Sequence, residues 1–308
     1  MESNGNRTDL NTRDEQQDPG ILLRLFWVLE AVFVAFSFTL LAYFFSAIAN
    51  NTALRELGTA EKRLIVSAIW LVLAAVVVII LRQKPLDDLR IMHIRKKSQA
   101  VLLPLNCLLG FLIGVSLNRA VTVLVKVLPL PEAWVQGNSD SVASASQGNP
   151  VASVIALCIV APVIEELAFR GKAFRFLEKA FTRGTMEPGK PSRAGVLVPA
   201  ALITALLFAF AHDNILQCIY AFVCGLVFVW IAETAGSIVA SIFAHIGFNL
   251  ANLIFYTFFA AKETELTVNI VCFVLLAVCA VCVFITGRML RGGGEEADSE
   301  PPSIYINN

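Results

Sequence analysis

Eight stretches of this chain are apolar for long enough to cross a bilayer, and polar clusters separate them. They lie at about 24–49, 64–82, 100–127, 150–170, 195–212, 215–233, 237–260 and 267–287. Each approaches the ~20 residues that a helix needs to span roughly 30 Å of hydrocarbon. The pattern predicts an all-α fold, a polytopic membrane helical bundle of about eight transmembrane helices. Residues 1–20 are too polar to bury a core and read as a disordered tail. The helical domain then takes 21–287, and residues 288–308, rich in Gly, Pro and acid, read as a flexible tail. The opening residues do not resemble a signal peptide, and no lipidation box is visible, so the spans themselves are expected to hold the protein in the membrane. No repeat with a clear period is visible.

Composition agrees with that picture. Hydrophobic residues make up 57% of the chain and charged residues 16%, against about 25% charged in soluble domains. Mean hydropathy is +0.71. Net charge is zero and the basic residues sit in connections, which excludes a nucleic-acid face. All seven cysteines fall inside apolar segments with no CxxC pair; they read as small buried hydrophobes rather than a disulfide scaffold or a cysteine metal site.

Loop charge sets an orientation. The connection after the second span carries Arg82, Lys84, Arg90, Arg95, Lys96 and Lys97. That after the fourth carries Lys172, Arg175, Lys179, Arg183, Lys190 and Arg193, whereas residues 128–149 contain no Lys or Arg. Both basic connections and both termini are therefore expected in the cytoplasm. Arg288 and Arg291 agree, while Arg55, Lys62 and Arg63 in the first outer connection run against it.

A charge at membrane depth costs a few kcal/mol or more, so each one needs a reason. Within or at the ends of the spans lie Glu30, Arg119, Glu165, Glu166, Arg170, His212, Asp213, Glu233, His245, Asn249 and Asn252. Glu30 and Arg119 are single charges that can pair, snorkel or sit at an interface. Glu233 and Asp213 lie near span ends, where solvation is the simplest account, and His93 sits in a basic connection. Glu165 and Glu166 are adjacent, hence about 100° apart around a helix. Glu166 and Arg170, at i and i+4, share a face and can form an ion pair, which leaves Glu165 to face elsewhere. The plainer alternative is a cluster of charges at a helix end. His245 and Asn249 are again i and i+4, with Asn252 on the same face, and His212 closes the fifth span.

Two mechanisms fit these residues. In one, Glu165, His212 and His245 bind Zn2+ or another divalent metal with an open position for water. In the other, Glu165 and His212 polarise water directly while His245 and Asn249 donate to an oxyanion. A transporter using intramembrane Glu and His as an ion path, or a non-catalytic immunity protein or scaffold, remains an alternative.

Three short patterns carry a resemblance. Glu165, Glu166 and Arg170 match EExxxR, Phe208 and His212 match FxxxH, and His245 and Asn249 match HxxxN. Their order on hydrophobic segments resembles the CPBP intramembrane proteases, which include the type II CAAX prenyl endopeptidases and bacteriocin-processing proteins. The resemblance covers about 150–252, within a protease core of about 150–260. It implies a multi-span protease whose site opens from the cytoplasmic side. It also implies that Glu165 and His212 activate water and that His245 and Asn249 steady the oxyanion. Its implied partners are membrane lipid and a membrane-bound or lipidated protein or peptide. One conflict follows from the span count: Glu165 would lie in the inner part of the fourth span and His212 at the outer end of the fifth. The conflict is relieved if the fifth span starts near Pro199 after a separate helix over 174–194, or if it runs past His212. Asp213 and Asn214 would then be buried beside His212 as its partners.

Overall fold

The computed structural model describes residues 20–80, 97–182, 193–258 and 265–292. The polar N-terminal tail up to residue 19, the basic connection 81–96 with His93, residues 183–192 and the tail from 293 lie outside them. Every element among the described residues is a helix or a helical turn. We number them α1 (Gly20–Asn50), α2 (Thr59–Ile80), α3 (Lys97–Val127) and α4 (Glu132–Ala145). A continuous helix, α5, then runs from Pro150 to Thr182. It is followed by α6 (Arg193–Phe210), α7 (Ile215–Ala235), α8 (Ile238–Phe258) and α9 (Glu265–Gly292). A helix lies on each of the eight apolar stretches. Within the described residues, five segments are long and apolar enough to cross a membrane: Gly20–Ser37, Val101–Val127, Pro150–Phe181, Ile215–Ala235 and Glu265–Met289. Gly195–Phe210 and Ile238–Asn252 are shorter apolar helices.

Two elements differ from the sequence expectation. Helix α4 occupies a stretch read as a connection, because its sequence EAWVQGNSDSVASA has no apolar stripe and none of its residues is buried. Helix α5 does not end near residue 170. It continues to Thr182, burying Phe174, Leu177 and Ala180 at helical spacing while Lys179 stays exposed. Arg175, counted with the basic connection, is in fact buried in this extension. Its guanidinium bonds Glu178 at 2.7 Å and Glu233 at 2.5 Å. Glu233 is therefore ion-paired rather than merely solvated. Arg119 is also paired, with Glu265 at 3.1 Å and with Asn269 at 2.6 Å. Glu30 is half-buried on α1, in the field of Lys172 and Lys179.

Pairwise contacts fix the direction of each helix. Lys126 meets Glu265 and Asn106 meets Thr286, so α3 and α9 are antiparallel. Gly110 faces Ala240 and Gly114 faces Ala244, so α3 and α8 are parallel. Asn249 meets Leu157 and His245 meets Glu166, so α5 and α8 are antiparallel. Arg170 meets Gly225 and Arg175 meets Glu233, so α5 and α7 are parallel. Tyr43 bonds Asp213, and the Asn149 N–H bonds Glu61. One end of the bundle thus gathers Asn50, Thr59, Val127, α4, Pro150, the α6–α7 turn and Glu265. The other gathers Gly20, Ile80, Lys97, Thr182, Arg193, the α7–α8 turn and Gly292.

The α3–α8 contact is backbone against backbone. A Cβ at Gly110 would stand 2.5 Å from the Ala240 carbonyl oxygen, one at Gly114 would overlap the Ala244 carbonyl, and one at Gly247 would overlap that of Phe111. Small residues let two helices approach this closely, and dispersion over the whole seam then holds them without help from a hydrophobic effect. Leu109, Ile113 and Leu117 flank the seam and pack with Phe228, Ile231 and Val283 into a core shared by α3, α7, α8 and α9. Gly114→Ala is expected to force the helices apart and cost about 1–3 kcal/mol. The check is the unfolding temperature of the detergent-purified protein; an unchanged value would contradict this account of the seam.

Candidate functional site

The site begins with a charge placed where water is absent. Glu166 is 0% exposed and Arg170, one turn later on α5, is 1% exposed, with an ion pair of 3.0 Å between them. A buried carboxylate or guanidinium alone would cost several kcal/mol, and each compensates the other. The guanidinium also donates to the Gly225 carbonyl at 3.3 Å and lies over the rings of Phe208 and Phe228, 4.4 and 5.3 Å from their centres. Those faces carry the negative end of the ring quadrupole and suit a cation. The approach of α6 to α7 uses Gly225, where a Cβ would come within 3.1 Å of Ala205.

Glu166 holds a second partner. His245 Nδ1 lies 3.0 Å from the same Oε1. Since a carboxylate accepts, Nδ1–H donates, and the ring is fixed with Nε2 turned the other way. Phe228 stacks on this ring at 4.9 Å and Phe208 meets it edge-on at 5.7 Å. Nε2 stands 3.7 Å from Glu165 Oε2, and the Glu165 side chain is 21% exposed. The adjacent glutamates are thus separated as helix geometry requires: Glu166 behind His245, Glu165 in front of it.

The local winding of α5 explains how Asn249 is held. Five-residue hydrogen bonding runs through Val154–Val160, and Ala161 N–H reaches back to Ala156 O. The next residue, Pro162, has no N–H, so in this register the Leu157 carbonyl is left without its partner. Asn249 supplies one, Nδ2 donating to Leu157 O at 2.8 Å. One N–H of the amide remains for another acceptor. A second wide turn follows the glutamates at Leu167–Ala173. Such turns interrupt α-helices frequently at functional sites.

His212 lies in the turn after α6. Its backbone N–H bonds Ala209 O at 3.1 Å, and its Nδ1 lies 2.8 Å from Phe208 O. A carbonyl only accepts, so the proton sits on Nδ1 and Nε2 carries the lone pair when the ring is neutral. Phe208 packs edge-on against this ring at 5.0 Å. The residues beside His212 are not both buried as expected. Asp213 is exposed and accepts from Tyr43 of α1 at 2.8 Å. Asn214 is buried but caps α7, accepting from the Gln217 N–H.

Glu165, His212, His245, Asn249 and Asn252 line one cavity of about 890 Å³, with Glu166 and Arg170 behind its wall. The depth conflict disappears because Glu165 sits near the middle of the long α5, and not near the inner end of a span closing at residue 170. Asn252, on the same helix face as His245 and Asn249, is exposed on the cavity wall. Sequence reading assigned no role to Phe228 or Gly225, and took Phe208 only as the first residue of FxxxH. Gly225 did carry a signal, as an isolated glycine in an apolar helix; Phe228, one aromatic among many, carried none. Among the described residues, no three His, Cys, Asp or Glu side chains are gathered to hold a metal ion. Glu165, His212 and His245 as placed do not fit a three-ligand site.

Residues 147–251 match a family model described as type II CAAX prenyl endopeptidase Rce1-like. The match contains all three motifs and agrees with the resemblance they carry. No curated protein and no solved structure matches the chain.

Removing one member of the buried pair isolates the other. Arg170→Met is expected to cost about 3–5 kcal/mol, read as a lower unfolding temperature. Adding Glu166→Gln should recover part of that loss, because no bare carboxylate is then buried. A double variant no more stable than Arg170→Met would show that the pair is not what the fold requires there.

Proposed function

We propose that this protein is a multi-pass intramembrane endopeptidase that hydrolyses a peptide bond of a membrane-associated or lipidated protein or peptide. The observation that carries the reading is the convergence of Glu165, His212, His245 and Asn249, from α5, the α6–α7 turn and α8, on one cavity backed by the buried Glu166–Arg170 pair. The matched family supports the reaction class. The cavity wall includes Phe169, Phe208 and Phe228, and no residue of the described segments between 170 and 207 lines it. That blind end favours a reaction chamber over a transport path. About eight spans with both termini in the cytoplasm is the topology that the eight apolar helices and the basic connections support.

In this mechanism Glu165 and the Nε2 lone pair of His212 hold the attacking water. Its oxygen bonds to the scissile carbonyl carbon as a proton passes to the Glu165 carboxylate. The carbonyl oxygen becomes an oxyanion facing the remaining N–H of Asn249, a donor positioned by Leu157 O, and His245 Nε2, which donates with the ring as an imidazolium whose Nδ1–H is held by Glu166. Glu165 then returns the proton to the amide nitrogen, the C–N bond breaks, and carboxylic acid and amine products form. Glu166 and Arg170 act as positioning residues for His245.

Purified protein in detergent, given lipidated and unlipidated peptides, tests the reading. Glu165→Ala and His212→Ala are each expected to lower cleavage by about 10²–10⁴-fold. Cleavage that persists in both would remove these residues from the mechanism. Chelator treatment is expected to leave the rate unchanged; inhibition reversed by zinc would establish a metal route instead.

A further inference from the structure

We infer that the cavity opens on the non-cytoplasmic face of the membrane. Its substrates are then membrane-anchored peptides whose scissile bond is presented from that face. The location of the mouth is independent of the endopeptidase reading; the nature of what enters rests on it.

The cavity is one-sided. Its rim is formed by Asn50, Thr59, Lys62, Asn138, Ser139 and Asp213, all at the end of the bundle that gathers α4 and the α6–α7 turn. From there it descends past Glu165 and His212 and stops at Phe169, Phe208 and His245. Helix α5 beyond Phe169, α6 before Phe208 and α8 before His245 add nothing to its wall. The mouth is therefore at the α4 end, and the opposite end is filled by Ala173, Phe174, Leu177, Ala200 and Val229.

Charge is distributed the other way. The chain between Ile80 and Lys97 carries Arg82, Lys84, Arg90, Arg95 and Lys96, and that between Thr182 and Arg193 carries Arg183 and Lys190. Arg24, Arg288 and Arg291 belong to the same, closed end. At the mouth end, residues 128–149 and the α6–α7 turn contain no Lys or Arg, and only Arg55, Lys62, Arg63, Lys126 and Lys262 oppose the trend. Short connections rich in Lys and Arg stay in the cytoplasm. Two sequence expectations, basic connections inside and a site open to the inside, are therefore incompatible in this fold, and the charges decide the orientation. A lipidated C-terminal tail on a cytoplasmic protein would meet the closed end. An exported segment held by a membrane anchor would meet the mouth.

Two cysteine variants of the full chain test the orientation with a membrane-impermeant maleimide on intact bacterial cells. Ser139→Cys, on exposed α4, is expected to label in intact cells several-fold above the unsubstituted chain. Lys179→Cys, exposed near the closed end, is expected to label only after lysis. Any other order overturns the inference. Gln136→Cys, also exposed on α4, repeats the test should Ser139→Cys fail to accumulate. A fatty-acylated, dye-quenched peptide then supplies the substrate arm, added to right-side-out and to inside-out vesicles. Cleavage is expected several-fold faster in the right-side-out preparation. Cleavage confined to inside-out vesicles overturns the orientation and leaves the endopeptidase reading standing. If labelling holds but detergent-solubilised protein cuts no peptide, the endopeptidase reading fails and the mouth stays where it is.

Discussion

An ionised carboxylate cannot remain in a dry helix bundle unless a cation and hydrogen bonds are supplied in the same place, and this protein is arranged around that constraint at Glu166. Arg170 provides the charge from the same helix, one turn away, so the pair forms with the local structure rather than waiting for tertiary assembly. What tertiary assembly adds is the rest of the cage. Phe208 arrives from α6, Phe228 and the Gly225 carbonyl from α7, and His245 from α8. Four helices are thereby tied to one buried charge. The side chains that line the cavity in front inherit their positions from it.

A second constraint acts through the backbone. Proline 162 removes one N–H from α5, the helix winds wide before it, and the carbonyl left over at Leu157 is satisfied by Asn249. An unpaired carbonyl in hydrocarbon is costly, so the side chain that answers it is held firmly. The irregular helix and the placement of the Asn249 amide are two aspects of the same missing hydrogen. His212 follows a similar logic: it sits past the end of α6, where its ring can bond the Phe208 carbonyl and so keep one nitrogen free.

Much of this was legible in the chain. Eight apolar stretches are helices because length and hydropathy dominate in a membrane protein, and the i, i+4 spacings of Glu166 with Arg170 and of His245 with Asn249 placed each pair on one face. The directions of Glu165 and Glu166 separated on helix angle alone. What could not be read there depended on three-dimensional neighbours. Polar α4 has no stripe to betray it, and Arg175 looked like a loop charge because its partner Glu233 is 58 residues away. Helix α5 appeared to end at its charges, although those charges are internally paired. The seam of Gly110 and Gly114 against Ala240 and Ala244 was not read from the chain, because small residues four apart do not name the partner helix.

That seam has a consequence for modularity. The segment that matches the protease family stops at residue 251 and begins at 147, yet the helix in backbone contact with α8 is α3, which lies wholly before it. His245 and Asn249 are carried on a helix whose other face is moulded to Gly110 and Gly114. The motif-bearing region is therefore not a transplantable unit. Grafted elsewhere, it would bring every motif side chain and leave behind the surface that tells α8 where to stand.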